Sequence, residues 1–178
     1  MTTLYTEMES PLGTLQLTAD DGALTGVHFP GQKHDRPPKP GWRRIDDEPV
    51  LVQARHELNE YFAGRRTRFD VRLDAHGTTF QRAVWQALET IPFGEQRSYA
   101  WLAGRVGDPK ASRAVGAANG RNPLAIIVPC HRVVGANGSL TGYAGGLDRK
   151  RWLLAHEHNW NRPPLELGSG TISHHFEK

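Results

Sequence analysis

Residues 98–120 read SYAWLAGRVGDPKASRAVGAANG, and two short helices joined by a tight break are written into them. Ser98 is an N-cap residue, and Tyr99, Leu102, Ala103 and Val106 follow at i, i+3, i+4 and i+7, the spacing of one helix face. Gly107-Asp108-Pro109 interrupts that face, and a second helix is predicted from about Lys110 to Asn119. In it Ala111, Ala114, Val115 and Ala118 make a core face, while Arg113, Gly116, Ala117 and Gly120 make one that is bare except for an arginine. The result is a helix–turn–helix. An αα-corner packed through alanines has the same pattern, and the pattern alone favours that corner over a nucleic-acid reader.

Upstream of this pair, Thr79 is read as the cap of a helix with the stripe Phe80, Val84, Ala87 and Leu88, ending at Ile91-Pro92 because proline restricts the residue before it. Downstream, Leu124-Ala125-Ile126-Ile127-Val128 reads as a short apolar strand that Pro129 ends, leaving Cys130-His131-Arg132 at a bend. Glycines 135, 138, 142, 145 and 146 then punctuate a loop around Tyr143, and Trp152, Leu153 and Leu154 lead to His156-Glu157 in a final helix. No periodicity follows Asn161, so residues 161–178 are read as a disordered tail.

The first 77 residues have another character. Leu15–Ala19 and Leu24–Phe29 alternate as strands around Asp20-Asp21-Gly22-Ala23, a tight-hairpin signal. Residues 30–41, with four prolines, can hold neither helix nor central strand and form a surface loop. Leu51, Ala54, Leu58 and Phe62 then mark a helix over 49–62, with Asp47 as N-cap and Gly64 as stop. Phe69, Val71 and Leu73 alternate with charged residues, as a half-exposed strand would. The expected organisation is an α/β domain over residues 1–77, a mainly α domain over 78–160, and the tail.

Composition bounds the function. The chain has 178 residues, 38% hydrophobic and 23% charged, with a net charge of +3, which excludes collagenous, wholly disordered and disulfide-framework proteins. No apolar run approaches the roughly 18–20 residues that span a bilayer, and MTTLYTEMES has neither a basic leader nor an apolar core, so a cytosolic protein with no membrane partner is expected. Residues 1–76 carry net charge −2 and residues 77–178 carry +5, an asymmetry that suits a polyanionic partner for the second part and is also common on solvated surfaces. Among the nine histidines, His156-Glu157-His158 lacks HExxH spacing and His174-His175 lies in the tail. With a single cysteine there is no multi-cysteine zinc site, and no glycine run connects strand to helix as a nucleotide would require. No metal and no cofactor are expected.

Cys130 is the lone thiol, followed by His131 and Arg132, surroundings that favour a thiolate. A lone cysteine beside Ile and Val is otherwise an inert core residue. Pro129-Cys130-His131-Arg132-Val133 resembles the reactive-cysteine signature of the O6-alkylguanine-DNA alkyltransferase family. Ser98-Tyr99, Arg113-Ala114-Val115-Gly116, Asn122-Pro123, Tyr143 with Gly145-Gly146-Leu147, and Trp152-Leu153-Leu154-Ala155-His156-Glu157 match in the same order and spacing. The likeness covers residues 78–160 closely. Over 1–77 it rests on Ser10-Pro11-Leu12-Gly13 and Tyr61-Phe62-Ala63-Gly64.

The resemblance implies a ribonuclease H-like small sheet with a helix, followed by a winged-helix-like domain carrying the helix–turn–helix. It implies direct-reversal DNA repair by a methylated-DNA–protein-cysteine S-methyltransferase: Cys130 takes the alkyl group from O6-alkylguanine, and from O4-alkylthymine as a further substrate, once per molecule. His131 would serve as base through a water, Glu157 would orient it, and Asn122 would tie this network to the turn. Tyr99 would donate to the guanine ring, carbonyls near Cys130 and Val133 would accept from the exocyclic amine, and Tyr143, Ala144 and Gly145 would wall the pocket. Ala144 stands where many members have serine. The second helix would enter the minor groove of double-stranded DNA, with Arg113 replacing the extruded base. Ala111, Gly116, Ala117 and Gly120 would permit close approach there, and Ser112, Asn119 and Arg121 would meet phosphate. The protein would act as a monomer, with cooperative binding along DNA left open. A cysteine hydrolase and a non-enzymatic lesion binder are the competing classes. The first would release its product repeatedly, and alkyltransferase-like binders lack the cysteine kept here.

Overall fold

The computed structural model describes residues 2–160, so the segment read as a disordered tail lies outside the described residues. Three strands open the chain, β1 (Leu4–Met8), β2 (Leu15–Asp20) and β3 (Ala23–His28), in an antiparallel meander. Asp21 and Gly22 both take positive φ, 48° and 72°, as the two central positions of a tight hairpin turn require. A two-residue strand β4 (Arg43–Arg44), which the sequence did not suggest, pairs parallel to β1 and completes a sheet in the order β3-β2-β1-β4.

Helix α1 (Pro49–Phe62) packs on one face of this sheet through Leu51, Ala54 and Leu58. Its N-cap is Glu48, whose carboxylate accepts from the Leu51 amide at 3.0 Å, and not the expected Asp47. The sheet's other face is polar, with Gln16, Thr18, Thr25 and His28 buried beneath the proline-rich loop, to which Gln16 is tied by a hydrogen bond to the Arg36 carbonyl at 3.0 Å. That burial explains why alternation along β2 fades: both its faces are covered.

Residues 69–73 do not form the expected strand. Leu73 makes one parallel bridge to Leu24, and the amides of Asp70 and Val71 are taken instead by the buried carboxylate of Glu57, at 2.7 and 3.0 Å. A side chain has replaced the strand partner, and the ladder ends there.

The second half begins with α2 (Thr79–Glu89), capped by Thr78 in a reciprocal box with Gln81, one residue before the predicted cap Thr79. Strand β5 (Arg97–Ser98), α3 (Tyr99–Arg105) and α4 (Ser112–Gly120) form the predicted helix–turn–helix, with Ser98 capping α3 through the Trp101 amide at 3.1 Å. Cys130–Arg132 form one 3-10 turn, β6 (Val133–Val134) pairs parallel to β5, and α5 (Leu147–Asn159) is the last element among the described residues.

Leu124–Val128 is a further correction. It makes one bridge to Val27 and then curls, the Ile127 amide donating to the Ala125 carbonyl at 2.8 Å across Ile126, whose φ is +73°. This is a γ-turn of the strained kind, at a β-branched residue that rarely enters the left-handed region. Its apolar composition reflects burial and not strand pairing, which composition alone cannot separate. The open edge of β3 is thus covered twice, by residues 72–74 and by 123–125, and one continuous hydrophobic core runs through both halves.

Candidate active site

The γ-turn and the 3-10 turn after it present Cys130 at the end of a narrow cleft lined by Gln32, Asn119, Gly120, Asn122, Ala125, Gly142, Tyr143, Ala144 and Gly145. The thiol is free and buried. Asn122 holds this geometry from the end of α4: its Nδ2 donates to the Val128 carbonyl at 2.8 Å and its Oδ1 accepts from the Leu124 amide at 3.0 Å. One amide therefore ties both ends of the strained turn.

The thiol's environment differs from the expected one. Burial pushes the Cys130 thiol up, against the pull of the Asn122 hydrogen bond, the Lys150 ammonium and the backbone amides of Cys130 and His131. Arg132, read from sequence as an activating cation, points elsewhere: its Nε donates to Glu157 Oε1 at 2.7 Å and its Nη1 to the Ile91 carbonyl at 2.7 Å. Adjacent side chains on a 3-10 turn diverge, so proximity in sequence did not become contact. On balance the thiol is held towards its neutral form.

The next residue on the turn is a histidine. His131 is fully buried, and its Nε2 lies 2.7 Å from Glu157 Oε2, while Nδ1 has no hydrogen-bond partner in the protein. Burial lowers the His131 imidazole, and Glu157 only partly offsets this. A neutral ring that donates Nε2–H to the carboxylate leaves Nδ1 as the basic atom. Burial alone would push the Glu157 carboxyl up. Hydrogen bonds from His131 and Arg132, with the guanidinium's charge, hold it well below the usual carboxylate range.

Two more residues belong to this network that sequence did not single out for the site. Tyr61, from α1 in the first domain, donates its hydroxyl to Glu157 Oε2 at 2.7 Å while itself fully buried. Lys150, on α5 seven residues before Glu157, is buried with its ammonium on the carbonyls of Val133, at 2.6 Å, and Thr141, at 2.8 Å. The only sequence signal for either was a polar group on a helix face that the apolar pattern assigns to the core.

Around the cleft, Tyr99 donates its hydroxyl to the Thr141 carbonyl at 3.1 Å, and Tyr143 buries its own hydroxyl without a protein partner. The Ala144 carbonyl accepts from the Lys33 amide at 3.1 Å, so the first domain's loop also braces this wall. Gly145 has a steric reason: a Cβ there would stand 2.8 Å from the Tyr143 ring and 3.0 Å from Phe29. Of the carbonyls expected to receive the exocyclic amine, that of Val133 already accepts from Lys150, and that of Cys130 accepts from both Asn119 and the Val133 amide, which engages both of its lone pairs.

The exposed side of the helix–turn–helix keeps Arg113 and Ala117 in solvent, with Gly116, Gly120 and Ser112 half-buried and Arg121 exposed just past the helix end. Asn119 must be reassigned. It is buried and donates to the Cys130 carbonyl at 3.4 Å, so it faces the active-site turn and not a phosphate. Ala111 caps α4 and packs on the core, and Ala114 is exposed instead of lining the core. Among the described residues no helix is long and apolar enough to cross a membrane, and no group of three or more metal-ligating side chains is assembled.

With this geometry in place, the comparisons fall into register. Residues 3–75 match the family described as 6-O-methylguanine DNA methyltransferase, ribonuclease-like domain, and residues 79–159 match 6-O-methylguanine DNA methyltransferase, DNA binding domain. The chain is 49% identical over 163 residues to a methylated-DNA–protein-cysteine methyltransferase of Mycolicibacterium paratuberculosis, covering 92% of this chain and 97% of that one. It is 51% identical over 150 residues to the protein of the same name from Methanosarcina acetivorans, covering 84% and 95% respectively. Among solved structures, Mycobacterium tuberculosis OGT in complex with DNA superposes with a TM-score of 0.81 at 49% identity, covering 88% of this chain and 94% of that one.

Proposed function

The chain belongs to the 6-O-methylguanine DNA methyltransferase family, and from that premise we propose that it repairs O6-alkylguanine in double-stranded DNA by moving the alkyl group onto its own Cys130. The observation that carries this reading is a lone, buried thiol beside a histidine whose partner is a buried carboxylate. His131 Nδ1 takes the thiol proton through one water, and the Glu157 carboxylate, 2.7 Å from Nε2, supports the imidazolium that forms. The sulfur then attacks the alkyl carbon, the bond from carbon to O6 breaks, and its electrons pass to the guanine ring with the relayed proton. Tyr99 exchanges its Thr141 acceptor for the ring N3 and offsets the developing charge, while the Val133 carbonyl accepts from the exocyclic amine and Tyr143, Ala144 and Gly145 wall the pocket. The thioether has no acidic proton or carbonyl through which water could release it, so each molecule acts once.

A base inside a duplex has to be extruded to reach a cleft this narrow. Arg113 fills the gap from the minor groove, the half-buried glycines and exposed Ala117 of α4 admit the backbone closely, and Ser112 and Arg121 lie where phosphates pass. We assign residues 1–77 to a structural domain and 78–160 to the DNA-binding and transfer domain, in a monomer that works in the cytoplasm. Intact-protein mass spectrometry after mixing with an O6-methylguanine duplex tests the reaction. One added methyl mapped to Cys130 and absent from Cys130→Ser is expected; product accumulating beyond one equivalent with the thiol unmodified would instead mark a hydrolase.

A further inference from the structure

Among the described residues, Asn119 Oδ1 and the Tyr143 hydroxyl are buried polar atoms without a partner in the protein, and both residues line the cleft in front of Cys130. The tyrosine hydroxyl is donor as well as acceptor and suits more than one kind of group, whereas an amide oxygen can only accept. Asn119 lies on the last turn of α4, 2% exposed, and its Nδ2 donates to the Cys130 carbonyl at 3.4 Å. That bond fixes which way round the amide lies, because an oxygen turned towards the carbonyl would be repelled. Oδ1 is left as the open end. An amide oxygen stripped of water and given no donor is costly, and a leucine of similar shape would avoid the cost. A donor that arrives with the substrate would cancel it.

O6-alkylguanine has few donors to offer. Alkylation at O6 leaves N1 without a proton, and N3 and N7 carry none, so the two N–H bonds of the exocyclic amine are the only ones on the base. The Val133 carbonyl takes one. The Cys130 carbonyl is closed to the other, since Asn119 and the Val133 amide already use both of its lone pairs. Resting on the alkyltransferase reading, we propose that Asn119 determines specificity for the 2-amino group of the lesion, its Oδ1 accepting the second amine N–H while its Nδ2 keeps the Cys130 carbonyl engaged. The acceptor stands on a helix and not on the glycine-rich loop, and its own Nδ2 bond ties it to the backbone of the residue that supplies the nucleophile. A base held on Oδ1 is therefore held in register with the sulfur. O4-alkylthymine has no exocyclic amine and no proton on N3, so it leaves Oδ1 unpaired. A site with a buried polar atom waiting for its complement rejects an analogue lacking that group more strongly than an apolar pocket does, and the guanine lesion is accordingly the preferred one.

Single-turnover rates are measured on duplexes carrying O6-methylguanine or O6-methylhypoxanthine, which differ by the 2-amino group alone, for the wild type, Asn119→Leu and Asn119→Asp, with near-UV circular dichroism checking each fold. Whatever the amine does to pairing or extrusion is common to the three proteins and cancels when their guanine-to-hypoxanthine rate ratios are compared. In Asn119→Leu the ratio is expected to fall about tenfold below that of the wild type, as the loss of one hydrogen bond made only to the amine would give. Asn119→Asp keeps an acceptor and should keep the wild-type ratio even where both of its rates fall. If the asparagine serves only to prop the Cys130 carbonyl, leucine slows both substrates equally, and an unchanged ratio in folded Asn119→Leu overturns the proposal. The aspartate variant carries the test if the leucine variant does not fold: a retained ratio supports the assignment, and a ratio that collapses in folded Asn119→Asp overturns it. Failure of the alkyltransferase reading shows separately, as wild-type protein that gains no methyl on Cys130 from the O6-methylguanine duplex, and the assignment of Asn119 falls with it.

Discussion

Glu157 is the residue on which most of the site's polar groups converge. Its two oxygens accept from Tyr61, His131 and Arg132, with the Gly94 amide at 3.5 Å, all in an interior where an unpaired charge is expensive. Glu157→Ala would leave the Arg132 guanidinium buried without its partner, and a loss of about 3–5 kcal/mol in urea-unfolding free energy is expected. The carboxyl's depressed value fixes the sign with pH: its contribution is present above the ordinary carboxylate range, and it is lost as acid protonates the unfolded chain first. His28 supplies a second acid-sensitive window. It is buried under the proline-rich loop, and burial together with the Arg36 charge pulls it from 6.5 to about 4. Between those values the unfolded chain binds a proton that the folded chain refuses, so stability falls as pH drops from 6.5 towards 4. In His28→Gln the curve of urea midpoint against pH should be flatter across that window, and a curve parallel to the wild type would contradict the assignment.

At the scale of elements, the two ends of α4 face different surroundings. Arg113 is exposed on the first turn of α4 and takes no part in the Glu157 network, whereas Asn119 and Asn122, at and just past that helix's end, reach the Cys130 turn. Arg113→Ala should therefore slow repair of an O6-methylguanine duplex by far more than it slows reaction with free O6-benzylguanine, in single-turnover assays of both. Equal slowing would remove the extrusion role. These helices were legible because 3.6-residue periodicity and an N-cap serine survive into the fold unchanged. Residues 69–73 and 124–128 misled because their patterns record burial, and burial does not state which partner takes the backbone. In both places a side chain does, Glu57 from 13 and 14 residues away in one and the nearby Asn122 in the other, and an apolar pattern does not record a backbone group paired with a side chain. The same limit hid Tyr61 and Lys150: each reads as an ordinary member of an amphipathic helix until tertiary packing brings Tyr61 to Glu157 and Lys150 to the Val133 and Thr141 carbonyls.

Taken as a whole molecule, the two domains are not independent supports. The first domain's sheet edge bonds to residues 123–125, its loop braces the Ala144 wall, the Leu12 carbonyl accepts from Arg149 at 3.0 Å, and Tyr61 reaches across to Glu157. A core shared in this way should unfold as one unit, so fluorescence and circular dichroism are expected to report a single coincident urea transition. Tyr61→Phe isolates the polar part of that linkage. It removes one hydrogen bond to an ionised acceptor and orphans nothing, because Glu157 keeps its other donors, so a loss of about 1.5–3 kcal/mol is expected. If the hydroxyl acts through Glu157, the double variant Tyr61→Phe with Glu157→Gln should lose less than the two single losses together. A coupling of about 0.5–3 kcal/mol is the size seen for groups in one network. Strict additivity would mean that the tyrosine stabilises the first domain alone, and that the Glu157 carboxylate does not depend on the domain boundary that this contact spans.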